Sequence, residues 1–325
     1  MTDFMHVANG TATTRIIHDA GIPGRSSIWA DPLYEGPVPA GLDDAGLLAV
    51  RAQFIGGGGE HGVEAVASDL RRWREAIDDT DGYDEVVLWY EHDLFDQLNL
   101  LQILSRLSPD WPKPVTLVCI GSFPGRPRFM GLGELTTSEL EPLFDSRQAV
   151  TPAQLALARE AWRAFRSADP TAIETFLAAD TSVLPYLASA LERHLEEFPS
   201  TRDGLSRTER RLLEIAAAGP IPLIHAFPRM HDDETAFYVT DTSFMERVQE
   251  LSSPAVPLLS VTERTPTERH RIRGVMELAG AGREVLAGAD RIAGYGIDRW
   301  LGGVHLTDPA PHWRWDERHE RLVPV

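Results

Sequence analysis

Apolar and polar positions alternate in a regular way over the first 121 residues. Phe4–Ala8, residues 27–30, residues 85–90 and Val115–Ile120 read as strands; the run at 85–90 is continuously apolar, as expected of a strand buried on both faces. Between them the spacing becomes helical. Ile16, Ile17 and Ala20 follow Thr11-Ala-Thr-Thr14, and Gly21-Ile-Pro-Gly24 stops that helix. Leu47, Leu48, Val50 and Ala52 predict a helix over 43–54, and Val66, Leu70, Trp73 and Ile77 one over 63–77, with the glycines of 56–59 as a break. Leu94, Leu98, Leu101, Ile103 and Leu104 predict a helix over 94–107. This alternation predicts an α/β fold, with a doubly wound, mainly parallel N-terminal sheet.

From Thr136 the pattern is helical. Thr136-Thr-Ser-Glu139 and Thr151-Pro-Ala-Gln154 are capping boxes, the second with proline at the first helical position. Residues 199–204 read as a linker, and Ser206-Arg-Thr-Glu209 is a third capping box opening a helix over 207–218. Helices are expected at 243–251 and 271–286. Strand-like pieces follow at 291–306, around a Gly302-Gly303 turn, and at 313–315 paired with 321–323. The expected layout is a Rossmann-like α/β domain over 1–135, a helical segment over 136–200, and a small α+β module over 201–325. Helices followed by a terminal hairpin make that module resemble a winged helix.

At 325 residues the chain is long for one core. Its 43% hydrophobic and 25% charged residues are those of an ordinary globular protein. No apolar run approaches the ~20 residues of a membrane span, the start carries no secretory pattern, and Cys119 is the single cysteine. No membrane partner and a cytoplasmic location are therefore expected. The net charge of −18 is unevenly spread: residues 1–200 carry 15 basic and 30 acidic side chains, residues 201–325 carry 16 and 19. The first part should repel nucleic acid, whereas the second leaves that question open.

The reactive residues gather where the strands end, and open parallel sheets bind ligands at their carboxyl ends. Asn9-Gly10-Thr11 joins the first strand to a helix whose N-terminus attracts anions, and His6 lies within that strand. Asp31 and Glu35 flank Pro32-Leu-Tyr34 and could orient a polyol or a metal. Glu91-His92-Asp93 and Asp96-Gln97 form the densest cluster, with Asp93 also suited to cap the next helix and Asp96 to complement its dipole. Carboxylate plus imidazole makes an acid–base pair, or with Asp31, Glu91 and Asp93 a divalent-metal set, although the spacing matches no zincin pattern. Ser122 and Arg126 follow the fourth strand, and Arg126 could clamp an anion or join an internal ion-pair network.

Three ordered motifs, His6-Val-Ala-Asn-Gly10, Trp29-Ala-Asp-Pro-Leu-Tyr-Glu-Gly-Pro37 and Asp93-Leu-Phe-Asp96-Gln97, resemble an uncharacterised bacterial domain of unknown function. The stretch from Phe198 to Glu209 resembles the C-terminal companion region usually joined to it. Thr11 departs from the pattern, standing where an acidic residue often follows the glycine, so no role of that acid carries over. The resemblance implies the domain layout and brings no activity with it.

The leading expectation is a cytoplasmic enzyme acting on a small anionic substrate, nucleotide-like or sugar-phosphate-like, by transfer or hydrolysis. Thr11 and Arg126 would hold the anion, Asp31 and Glu35 a polyol or divalent metal, and Glu91, His92 or Asp93 would move the proton. Two alternatives are an effector-sensing winged-helix DNA-binding regulator and a binding or scaffold protein without turnover.

Overall fold

The computed structural model describes residues 2–57, 62–236, 239–253, 255, 257–262, 272–308 and 313–325. The chain divides into two compact units. One comprises Met1–Leu191 with Trp300–His305, the other Glu192–Arg299 with Leu306–Val325.

The first unit contains β1 (Phe4–Ala8), α1 (Thr11–Asp19), β2 (Arg25–Ile28), α2 (Asp44–Gly57), α3 (Gly62–Asp78), β3 (Glu85–Glu91), α4 (Leu94–Arg106), β4 (Val115–Ile120), α5 (Thr137–Asp145), β5 (Gln148–Ala149), α6 (Pro152–Phe165) and α7 (Thr171–Leu177). Its sheet has the order β2-β1-β3-β4-β5. The first four strands pair in parallel, and only the two-residue β5 runs antiparallel. The chain steps outward from β1 to β2 and then returns across β1 to β3. The gap between the carboxyl ends of β1 and β3 is thus the topological switch point, where open α/β sheets form their ligand crevice.

Both faces of the sheet are covered. Phe4, Ala8, Val87, Trp89 and Val118 pack with Ile17 of α1 and Leu140 of α5. On the opposite face the Tyr90 hydroxyl donates to the Trp29 carbonyl, and the Trp29 indole N–H donates to Gln102 of α4 at 2.7 Å. The helices α2 and α3 pack through Leu48, Ala52, Ala67 and Leu70. The Gly302-Gly303 turn is seated in this unit: Val38 N donates to the Gly302 carbonyl and Gly303 N to that of Phe165. A Cβ at Gly303 would fall on the Arg166 carbonyl. All three capping boxes are formed.

The boundary between the units falls within α8 (Leu187–Leu195). Beyond it lie α9 (Arg207–Ala217), β6 (Ile221–Pro222), α10 (Leu223–Arg229), α11 (Asp241–Leu251), β7 (Leu259–Thr262) and β8 (Val275–Leu278). The strands form an antiparallel sheet in the order β6-β8-β7. Next come α12 (Gly280–Leu286), α13 (Arg291–Tyr295) and two hairpins, β9 (Asp298–Leu301) with β10 (Val304–Thr307), and β11 (Trp313–Asp316) with β12 (Arg321–Pro324).

The helix expected over 271–286 is, in its described part, a strand followed by a short helix. Met276 pairs with both β6 and β7, and burying that strand between two neighbours outweighs local helical spacing. The residues expected as strand at 291–295 form α13, capped by Asp290. Among the described residues no helix is long and apolar enough to cross a membrane.

Candidate functional site

The switch point brings together residues from several elements. Asp93 caps α4, its carboxylate accepting from Asp96 N at 3.0 Å. Asp96 turns back toward the strand, where its Oδ2 accepts from Glu91 N at 2.5 Å. From the end of β1, Asn9 Nδ2 donates to both oxygens of Asp96 at 3.1 Å each. Asn9 Oδ1 accepts from the Thr13 hydroxyl at 3.0 Å. The Glu91 carboxyl accepts from Leu132 N, and the nearby Asn9 amide favours its charged form. Gln97 holds the strand end, donating to the Glu91 carbonyl and reaching the Cys119 sulfur at 3.6 Å.

Oxygens of Glu91, Asp93 and Asp96 all lie within 4.8 Å of one another. The three residues are only 4%, 6% and 0% exposed. Among the described residues none is ion-paired. Burial, reinforced by the charge of Asp93, pushes Glu91 up to about 8. Burial raises Asp93 to about 6 against the pull of the Asp96 and Phe95 N–H groups. Asp96 is raised by burial and by the charges of Glu91 and Asp93. Three acids packed this closely need protons or a cation to be stable together. Three hard oxygens suit a divalent ion. Here, however, both oxygens of Asp96 already accept from the Asn9 amide N–H₂ and one from a backbone N–H, a donor arrangement that supports the ionised carboxylate.

Asp31 is not part of this group. It forms a buried pair with Arg51 of α2, Nη2 to Oδ1 at 2.7 Å, and Arg51 also donates to the carbonyls of Pro32 and Glu35. Asn99 fixes the Asp31 backbone in both directions. The metal set of Asp31, Glu91 and Asp93 is therefore not assembled, since the Asp31 carboxylate is neutralised by Arg51; the acid that joins Glu91 and Asp93 is Asp96. Glu35 lies half-buried on the same loop, its carbonyl held by Arg51.

His6 is fully buried, with Nδ1 accepting from the Trp89 indole and Nε2 against the Pro23 carbonyl, both at 3.1 Å. Burial lowers its pKa, and a neutral ring with both nitrogens engaged has no lone pair for a ligand. Arg126 binds Glu139 at 2.8 Å and so fastens the start of α5, holding Glu139 near 2. This is the internal ion pair of the two readings given for it. Ser122 is exposed.

Gly10 and Thr11 follow Asn9 in the chain, and Thr11 is exposed. Gly10 is the N-cap of α1 without a side-chain cap, and the space a Cβ would enter there is open. His92 is half-buried against the rings of Phe129 and Tyr186.

Two participants carried no sequence signal. Gly131, at φ +151°, leaves the room that the Glu91 carboxylate occupies, and Leu132 supplies its backbone donor. Thr13 was legible only as one hydroxyl among several in α1.

No protein-family model matches this chain, and no curated protein matches it.

Proposed function

We propose that the protein is a cytoplasmic enzyme acting on a small anionic substrate, nucleotide-like or sugar-phosphate-like, by transfer or hydrolysis. The observation that carries this reading is the Glu91–Asp93–Asp96 cluster at the β1/β3 switch point, with no ion-paired member among the described residues. Environments that push neighbouring acids apart assign their roles. At neutral pH, Glu91 at about 8 holds a proton to give, and Asp93 at about 6 is ionised to receive one. Asp96 anchors the pair to Asn9. The open N-terminus of α1 beside Gly10 would attract the anion, and Glu91 would protonate the departing oxygen.

The test is a thermal-shift screen of the full chain against phosphate, nucleotides and sugar phosphates. A compound should raise the melting temperature of the parent and lose that effect in Glu91→Gln and Asp93→Asn. An equal rise in both variants would place the ligand elsewhere.

A second reading concerns residues 207–278. The order helix, strand, helix, helix, strand, strand, with β8 between β6 and β7, supports a winged-helix module. In such a module α11 would be the groove-facing helix. Its exposed Asp241 and Glu246 oppose a phosphate backbone, and Glu250 is taken up by Arg247, Arg291 and Arg299, so we favour a packing role over DNA reading. A salt-sensitive shift of duplex DNA by the protein would reverse that preference.

A further inference from the structure

We infer that Thr13 is a positioning residue for the carboxyl cluster, acting through the Asn9 amide; this rests on the acid–base reading above. A primary amide has an acceptor end and a donor end, and whichever faces a carboxylate stabilises or opposes its charge. Asn9 presents its donor end to both oxygens of Asp96. Its acceptor end takes the hydroxyl of Thr13, which is 1% exposed on the third residue of α1. The Asp96 acceptors set which way the amide faces, since a turned-over amide would bring its oxygen against them, and the Thr13 hydroxyl satisfies Oδ1 in that orientation and fixes where the amide sits.

The groups facing the cluster are Glu91 and Tyr90 of β3, Asp93 and Asp96 at the start of α4, Cys119 of β4, and Glu134 from the turn after Leu132. The first turn of α1 contributes no acid. A change at Thr13 therefore reaches the carboxyls through Asn9.

The experiment measures unfolding of the full chain between pH 5 and 10 for the parent, Thr13→Val and Thr13→Ser. The parent should lose stability as pH rises through about 8. Thr13→Val loosens the amide, weakens its support of the charged forms and moves that loss upward by about half a pH unit, a threefold change in proton affinity. Thr13→Ser restores the hydroxyl and should keep the parental midpoint. If Thr13→Val does not fold, Thr13→Ala is read in the same way. A loss of stability equal at every pH, with the midpoint unmoved, makes Thr13 a plain core residue and overturns the inference alone. A parent with no loss between pH 7 and 9 overturns the acid–base reading itself and this inference with it.

Discussion

Asn9 and Asp96, 87 positions apart, meet through two hydrogen bonds of 3.1 Å that tie the loop after β1 to the first turn of α4. Asn9→Leu removes these donors and leaves Asp96 buried with fewer partners. Unfolding in urea should show a loss of ~2 kcal/mol. A change under ~0.5 kcal/mol, the size usual for surface substitutions, would mean the amide is not a support.

The Asp31–Arg51 pair should behave as structure and not as a ligand site. Asp31→Ala strands a fully buried guanidinium and should cost ~3–5 kcal/mol, while replacing both partners together with Leu and Met should recover most of that loss. If the double variant were as unstable as the single one, Asp31 would be needed for something besides neutralising Arg51.

Gly131 is a test of how closely the loop approaches Glu91. A Cβ there would meet the Glu91 carboxylate, and φ +151° disfavours other residues. Gly131→Ala should destabilise by ~1–3 kcal/mol in denaturant titrations. In Glu91→Ala the room is vacated, so the same change should cost much less. Equal costs in both backgrounds would show that the backbone alone sets the penalty.

In the second unit Glu209 is fully buried. Burial alone would raise it, but Arg291, Arg299 and Arg247 outweigh that and hold it well below the usual carboxylate range. A lowered carboxylate gives stability that is present above its unfolded value near 4.5 and is lost as pH falls through its folded one. Glu209→Gln should therefore be much less stable than the parent at pH 7, by ~3–5 kcal/mol, with the gap closing in acid. A gap independent of pH would contradict this.

The sheet was legible because its signals are local: β1 and β4 are apolar runs read to their full length, and the three capping boxes each lie within four residues. What the sequence concealed depends on distant partners. Asp31 looks like a ligand until Arg51, 20 positions away on α2, is found against it. His6 looks reactive until Trp89 and Pro23 are seen to engage both its nitrogens. Residues 275–278 read as helix because only their pairing with β6 and β7 makes them a strand. The density of Glu91, Asp93 and Asp96 was plain, yet their crowding within 4.8 Å follows from the turn between β3 and α4.

The central claim is that Glu91 holds a proton at neutral pH. Raised from 4.5 to about 8, it contributes stability that is whole below its unfolded value and lost as pH rises through its folded one. Carbon-13 NMR of the Glu91 side-chain carboxyl, assigned by its disappearance in Glu91→Gln, measures this directly. The account predicts a titration midpoint near 8. A midpoint near the ordinary 4.5, with Glu91 ionised at pH 7, would contradict it.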